Sequence, residues 1–485
     1  MIQVNPKLKV EYGDFQTPLE LAKEICYKLL ALGVSPDIII EPTCGTGNFI
    51  EASARSFQSA SKIIGIEVNH NYLEQIGKNN QISQDKRIQV QQGNFFEFNW
   101  SSLIAQFTNK KILLLGNFPW VTNSQQGAIG GRNLPQKTNF QNHKGLDAIA
   151  GKSNFDISEW MLINSIQWLR DREAYLAMLC KTSVSRKILN YIHSQKLNIA
   201  YCATYQIDAK KYFNASVDAC LLFCKFDSKL QNYFCDVFSS LNADTYYRIG
   251  YRNNTPIRDI NSFDRLKDLH NPRMGAKWRS GIKHDCSSVM EIRKVDDMFV
   301  NGLGEVVDIE ETCLFPLVKG SDVAQNRTKS SERYVLVTQK YIGESTEYLQ
   351  NLAPKTWDYL INHADYLDVR KSRIYKNNPR FSIFGVGSYT FAPWKIAICG
   401  LYKKLDFRLV GETNSKPTIF DDTVYFLSFE DKQVAHQTFA LLTSSTALNF
   451  YCSLIFWDEK RPIKSSILNS LNLPALAERL AINLS

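Results

Sequence analysis

The chain has 485 residues, 44% hydrophobic and 22% charged, the make-up of a globular protein with enough apolar material for two or three packed cores. Its formal net charge of +9 is compatible with a polyanionic partner without demanding one. No apolar run of about 18 residues marks a membrane span, and the opening MIQVNPKLKVEYGDF lacks the apolar centre of a signal peptide. The eleven cysteines are scattered without a CxxC pair, which argues against a disulfide scaffold or a zinc site and for reduced thiols in a cytoplasmic protein.

Taken in chain order, the first half alternates helix and strand patterns. Residues 18–33 are helical in period, with Pro18 at the start and Gly33 at the end. A short apolar strand at 37–41 runs into PTCGTGNF, and a helix is expected over 48–58. Strands follow at 62–67, 87–91 and 111–118, with a helix at 70–79 between the first two. The run KILLLGNF at 111–118 is apolar throughout and so is expected to be buried on both faces. A helix at 155–170 and strands at 174–180, 198–205 and 217–226 complete the pattern. Alternation of this kind means a doubly wound, mostly parallel α/β sheet. Residues 121–153, rich in Gly, Asn and Gln, form a long connection of the kind that usually carries function. The rhythm fades after about 230, so a boundary is expected at 235/236, followed by a mixed α+β domain over 236–485.

Four segments carry chemistry, each at the end of a predicted strand. Glu41-Pro42-Thr43-Cys44-Gly45-Thr46-Gly47-Asn48-Phe49 follows the first, where glycines let the backbone turn tightly and approach a ligand. A tight turn alone would explain an isolated Gly-x-Gly, but three further pieces arrive in order. Glu67 ends the second strand, where a carboxylate can accept from both hydroxyls of a ribose. Gly93-Asn94-Phe95 follows the third: Asn94 can accept from an adenine amino group, and Phe95 offers apolar contact. Gly116-Asn117-Phe118-Pro119-Trp120 follows the fourth and brings an amide, a carbonyl and an aromatic face to the carboxyl edge of the sheet, where α/β ligand sites lie. The competing structural reading of this last segment is a rigid turn with a buried Trp.

These segments resemble the adenine-N6-specific DNA methyltransferases of motif order X–I–IV. That family has an N-terminal F-x-T-P, here Phe15-Gln16-Thr17-Pro18, ahead of a glycine motif, here Glu41 to Phe49. An acidic strand end, a G-D-F motif and N-P-P-Y/F/W follow, here Glu67, Gly93-Asn94-Phe95 and Asn117 to Trp120. Asn154-Phe155-Asp156 looks like the segment flanking the cofactor adenine, and Tyr212-Phe213 like a later motif whose aromatic packs on the target base. The resemblance covers residues 12–228. It implies a Rossmann-like domain binding S-adenosylmethionine through Thr17, Glu41, Thr43, Cys44, Gly45, Gly47, Glu67, Asn94, Phe95 and Phe155. It implies a catalytic Asn117-Phe118-Pro119-Trp120 loop, with Trp120 and either Tyr212 or Phe213 stacking on opposite faces of a flipped adenine. Two positions depart from the family: Asn94 stands for Asp, and Phe118 for Pro. An N-L/I-P-Y/F loop is typical of adenine dimethylases acting on ribosomal RNA, so RNA is the runner-up substrate. Glutamine-N5 methylation of a protein and an inactive binding module are further alternatives, and cytosine N4 is a minor one.

The resemblance also implies a C-terminal target-recognition domain and double-stranded, sequence-specific DNA as partner. A separately encoded restriction endonuclease would accompany the chain, or it would act alone, as a monomer. Positive charge is locally concentrated: residues 361–410 hold 9 Lys/Arg against 3 Asp/Glu. Within them Arg370 to Phe381 interleaves basic and aromatic residues, and Arg373, Lys376 and Arg380 are the expected DNA contacts. A solvated charged face is the plain alternative. Arg273, Lys277, Trp278, Arg279 and Lys283 form a weaker cluster of the same kind.

Overall fold

In the computed structural model, described for residues 16–120, 156–273, 277–328 and 332–482, the chain forms two compact units, residues 1–260 and 261–485. Phe15, Asn154 and Phe155 lie outside the described residues.

The first unit opens with helix α1 (Leu19–Ala31), which buries Leu21, Ile25 and Leu29 along one stripe. Each fully buried Leu or Ile of this kind contributes about 1.5–3 kcal/mol. Gly33, at φ +75°, ends the helix, and the amide of Val34 reaches back to the Leu29 carbonyl. Strand β1 (Ile38–Glu41) and helix α2 (Asn48–Ser56) follow, then β2 (Lys62–Glu67), α3 (His70–Lys78), β3 (Ile88–Gln92), α4 (Trp100–Ala105) and β4 (Ile112–Asn117). Residues 121–155, including the long connection expected to carry function, lie outside the described residues; after them come α5 (Ile157–Leu169), β5 (Ala174–Lys181), α6 (Thr182–Ser194), β6 (Ile199–Ile207), α7 (Ala209–Phe213) and β7 (Ala219–Phe226). As the sequence predicts, β4 is buried through Leu113, Leu114 and Leu115.

All these strands join one sheet in the order β3-β2-β1-β4-β5-β7-β6. The pairs from β3 to β5 are parallel, while β7 runs antiparallel between β5 and β6. The order reverses between β1 and β4, so the loops after these two strands leave in opposite directions and open a crevice at their carboxyl ends.

The sheet does not stop at residue 235. Strands β8 (Cys235–Phe238), β9 (Tyr246–Arg252) and β10 (Thr255–Ile257) extend it, β8 pairing parallel with β6 through Ala203 and Asp236. The unit therefore ends at Ile260, later than the expected 235/236 boundary. A hairpin turn at Asn253-Asn254, both at positive φ, joins β9 to β10. Asp236 is buried and paired with Arg248 at 2.6 Å, which fixes the first of the added strands to the second.

The second unit is mixed α+β. One sheet has four strands, β11 (Arg279–Ser280), β19 (Val424–Phe429), β16 (Trp394–Cys399) and β17 (Arg408–Val410). The other has five: β13 (Met298–Asn301), β12 (Glu291–Val295), β15 (Arg333–Leu336), β14 (Leu314–Val318) and β18 (Ile419–Phe420). Helices include α8 (Pro354–Asn362), α9 (Lys432–Leu442) and α10 (Ser445–Leu454). All eleven cysteines are free thiols, ten of them buried. Among the described residues no helix is long and apolar enough to cross a membrane.

Candidate active site

The crevice at the switch point holds a cavity of about 950 Å³, counting the solvent at its mouth. The loop after β1 forms its floor. Gly45 and Gly47 take positive φ, +50° and +85°, which turns the chain directly into α2. A Cβ on Gly45 would lie 2.3 Å from Gln16 Oε1, so a larger residue there would both strain the backbone and displace the Gln16 side chain. That same Gln16 oxygen accepts from the Thr46 amide at 3.0 Å and the Thr46 hydroxyl at 3.1 Å. Asn48 Nδ2 donates to the Thr17 carbonyl at 2.8 Å. The N-terminal segment is thus latched onto the glycine loop by two side-chain amides.

Glu67 holds the loop from the other side. Its Oε2 accepts from the Gly45 amide at 2.7 Å and its Oε1 from the Asn69 amide at 2.8 Å. Through these two bonds the carboxylate positions the glycine loop at the cavity wall. The Cys44 amide goes to the Ile66 carbonyl and the Gly47 amide to the Cys44 carbonyl. The Thr43 hydroxyl reaches the Asn117 carbonyl at 3.3 Å and ties the first motif to the last.

Glu41 is 96% buried, and its Oε2 has no hydrogen-bond partner among the described residues. Burial, and then the Glu67 carboxylate, hold its carboxyl well above the usual range. The buried Thr17 hydroxyl is likewise without a partner among the described residues. Both line the cavity. Burial, then Glu41 and Glu67, push the Cys44 thiol up, so Cys44 stays a neutral thiol in the wall. Asn94 also lines the cavity, with its Oδ1 accepting from the Phe96 amide at 3.1 Å. Phe95 sits in an aromatic group with Trp100, Phe118, Trp160 and Trp168. Trp160 and Trp168 come from α5, whose Ile157 and Met161 complete the wall. The start of α5 is set by Asp156, which accepts from the Ser158 amide at 3.1 Å and pairs with Lys181 at 2.7 Å.

Of the expected site residues, Thr17, Glu41, Thr43, Cys44, Gly45, Glu67, Asn94, Phe95, Asn117 and Pro119 line this one cavity. Gly47 acts one step behind, as the N-cap of α2. Phe118 turns its ring into the core, 1% exposed and edge-on to Phe95 at 5.3 Å. That anchors the Asn117–Trp120 loop by a means proline would not provide. Sequence reasoning included Gln16 and Asn48 in its motifs without giving them a role, and missed Asn69 and Tyr72 in the lining. Asn48, next to Gly47, and Tyr72, on the helix after Glu67, were within reach of the motif argument.

Three expectations are corrected. Trp120 and Phe213 do not face each other across a gap: the rings touch edge to face, with centroids 5.0 Å apart. A base between two rings needs about 7 Å, one van der Waals contact on each side. Tyr212 is turned elsewhere, its hydroxyl 3.3 Å from Glu24 and its ring under Lys211, so Phe213 is the neighbour of Trp120. In the second unit Arg380 is paired with Asp368 at 2.7 Å, and Phe381 is fully buried, while Arg373 and Lys376 are exposed. In the weaker cluster Trp278 is buried and Lys283 is paired with Asp285, so neither forms a free basic–aromatic surface.

The chemistry of the cavity is specific. The amides of residues 44–47 are all taken by protein acceptors, so the loop offers them to no phosphate. Two carboxylates, one with an unpartnered buried oxygen, suit a cationic ligand bearing an amine and a diol. A doubly wound sheet with this donor set at its switch point defines an S-adenosylmethionine-dependent methyltransferase, and S-adenosylmethionine is its methyl donor. No protein-family model matches the chain. It is 65% identical over 478 residues, 99% of both chains, to the Type II methyltransferase M.NspV of Nostoc sp.. This chain belongs to the Type II methyltransferases. Its fold is similar to that of the Type IIL restriction-modification enzyme MmeI, solved in complex with DNA, with a TM-score of 0.53 at 13% identity. The match covers 93% of this chain and 64% of that one.

Proposed function

We propose that the chain methylates the N6 amine of adenine in double-stranded DNA at one recognised sequence. The reading carries through to a modification enzyme, partnered by a separately encoded endonuclease or acting alone, monomeric and cytoplasmic. The observation that carries it is Asn117: it ends β4, lines the cavity, and begins a loop anchored by Phe118 in the aromatic core. The MmeI complex and the Type II relative support DNA as the substrate. The first unit is the catalytic domain and the second the target-recognition domain.

S-adenosylmethionine supplies an activated methyl group, so the chemistry that the protein must add is placement. Glu41 and Thr17 receive the amino-acid end of the cofactor, Glu67 its ribose, and Asn94 and Phe95 its adenine, with Thr43, Cys44 and Gly45 shaping the floor. The Asn117 side-chain oxygen and the Phe118 main-chain carbonyl accept the two hydrogens of the target amine and turn its lone pair toward the methyl. Trp120 stacks on the base, which requires its contact with Phe213 to open. Extracting a duplex base costs a few kcal/mol, and stacking returns about 1–3 kcal/mol.

The test is transfer of labelled methyl to unmethylated genomic DNA, deproteinised ribosomal RNA and protein extract, followed by digestion to nucleosides or amino acids. N6-methyladenine from DNA is expected. Label confined to RNA would replace the reading with the one that Asn-Phe-Pro-Trp favours. Cofactor binding without transfer would make the chain an inactive module.

A further inference from the structure

The second unit contains a small loop, residues 368–380, that the fold closes on itself. At its base Arg380 pairs with Asp368 at 2.7 Å. In its middle the Arg370 guanidinium lies 3.7 Å from the centre of the Tyr375 ring. Arg370 also donates to the carbonyls of Leu367, His284 and Ser382 at 2.8–3.1 Å. The Tyr375 hydroxyl reaches the Lys283 carbonyl, and its ring packs edge-on against Phe384. Asn378 Nδ2 caps the Ile374 carbonyl at 2.7 Å. Two of the five cations between residues 365 and 380 are therefore spent on shape.

The other three are not. Lys371, Arg373 and Lys376 are exposed, and none makes an ion pair among the described residues. The acids of this stretch, Asp365 and Asp368, act on Arg380 at the base, and Asp285, which meets Tyr375 from a neighbouring segment, is paired with Lys283. Val369, 73% exposed, and Ile374, 36% exposed, flank the Arg370–Tyr375 stack. Like charges on a short loop repel, so holding them together in a stapled conformation is a cost that the fold carries in advance. A partner with a row of negative charges recovers that cost and meets a surface already ordered.

We propose that this loop is a pre-formed DNA-backbone grip, in which Lys371, Arg373 and Lys376 contact phosphates while Val369 and Ile374 rest on sugars or a thymine methyl. The inference rests on the reading that the substrate is duplex DNA. It assigns Arg380 to the staple and adds Lys371 to the contacts. The bidentate-capable Arg373 sits between the two lysines, where a base edge is also within its chemistry.

The test is binding of the full-length protein to a labelled mixed-sequence duplex over a range of salt concentrations. Wild type is compared with the triple variant Lys371→Gln, Arg373→Gln, Lys376→Gln. A control triple, Lys78→Gln, Lys86→Gln, Lys110→Gln, removes equal charge from exposed positions of the first unit. Each phosphate contact adds about 0.9 to the slope of log affinity against log salt, so the loop variant should lose about 2–3 in slope and roughly 100-fold in affinity. The control should match wild type, and all three should keep the same melting temperature and cofactor affinity. Equal slopes for the two triples would overturn the loop assignment and leave the DNA reading standing. Failure of wild type to bind duplex while binding RNA would overturn both.

Discussion

Glu41→Gln should act in opposite directions on the empty protein and on the complex. The Glu41 carboxyl is buried, one oxygen lacks a partner among the described residues, and Glu67 lies close enough to disfavour its charge. Its pKa is raised far above the ordinary 4.5, so in the folded state it prefers the proton. The sign follows from linkage: stability from this group is fully present below the unfolded value and is lost as pH rises through the folded one. Each pH unit above the unfolded value costs up to about 1.4 kcal/mol until the folded value is passed. Glutamine removes that cost but brings an amide that also wants partners, so a net gain of about 1–2 kcal/mol is expected. That corresponds to roughly 3–6 °C in melting temperature for a unit of this size. A bound ammonium reverses the balance, because the carboxylate then has its counter-charge. Loss of a charge-assisted contact should weaken cofactor binding by about 2 kcal/mol, or roughly 30-fold. Thermal melting of the empty protein across the pH range, with calorimetric titration of the cofactor, measures both effects. The variant should melt above wild type at high pH, with the gap closing as pH falls toward 5. A variant that melts lower at high pH, or binds cofactor as wild type does, would refute the reasoning.

Asn117→Ala should cut methyl transfer by roughly 10²–10³-fold, as loss of one transition-state hydrogen-bonding group commonly does, and leave cofactor affinity unchanged; near-normal turnover would remove Asn117 from the chemistry. Gly45→Ala should displace Gln16, whose oxygen lies 2.3 Å from the added carbon, and strain a backbone at φ +50°, costing about 1–2 kcal/mol and about tenfold in cofactor affinity by titration. Lys395 is 2% exposed, donates to the Ala392 carbonyl, and is pushed down to about 7 by burial. Its destabilisation is therefore full below that pH and fades as pH rises toward 10.5, so Lys395→Met should raise the melting temperature near pH 6 and lose its advantage by about pH 10; a variant less stable at every pH would mean that the Ala392 contact outweighs the buried charge. ATP should bind the cavity far more weakly than the cofactor in calorimetry, because the amides of residues 44–47 at the turn are already engaged; competitive binding of similar strength would refute that account.

Much of the first unit was legible because its central strands are buried on both faces and its motif loops fall at strand ends. Ile38–Glu41 and Ile112–Asn117 read as apolar runs, and the residues just beyond them did converge on one cavity. Helix α6 went unread, since its apolar positions Val184, Ile188 and Ile192 are preceded by Thr182 and Ser183 with no acidic first turn. The strands after residue 235 were missed for a different reason. They lie toward one edge of the sheet; β8 is short, and β9 is only partly buried, so Tyr246 to Arg252 shows no strict alternation. Spacing also cannot say whether two aromatics face each other or touch. Trp120 and Phe213 were rightly brought together, but as neighbours in one core rather than as two walls. In the same way, basic and aromatic residues that alternate along 370–381 separate in space, Tyr375 and Phe381 turning inward and Lys371, Arg373 and Lys376 outward.

The glycine loop shows how one backbone device serves different cofactors. In a dinucleotide site the amides at such a turn point at a pyrophosphate and the helix end favours negative charge. Here Glu67 and Gln16 accept those amides from two directions, and the helix N-cap is Gly47, whose own amide returns to Cys44. The donors of residues 44–47 are thereby removed, and the carboxyl groups of Glu41 and Glu67 are left lining the cavity. A site built this way offers phosphate no amide of residues 44–47, and a bound cation would supply the counter-charge that Glu41 lacks in the empty protein, so preference for a positively charged nucleoside follows from which hydrogen bonds the protein completes internally. The same completion fixes the loop before any ligand arrives. Thr43 then carries that rigidity across to the Asn117 carbonyl, so the loop that begins at Asn117 is held by the loop that follows β1.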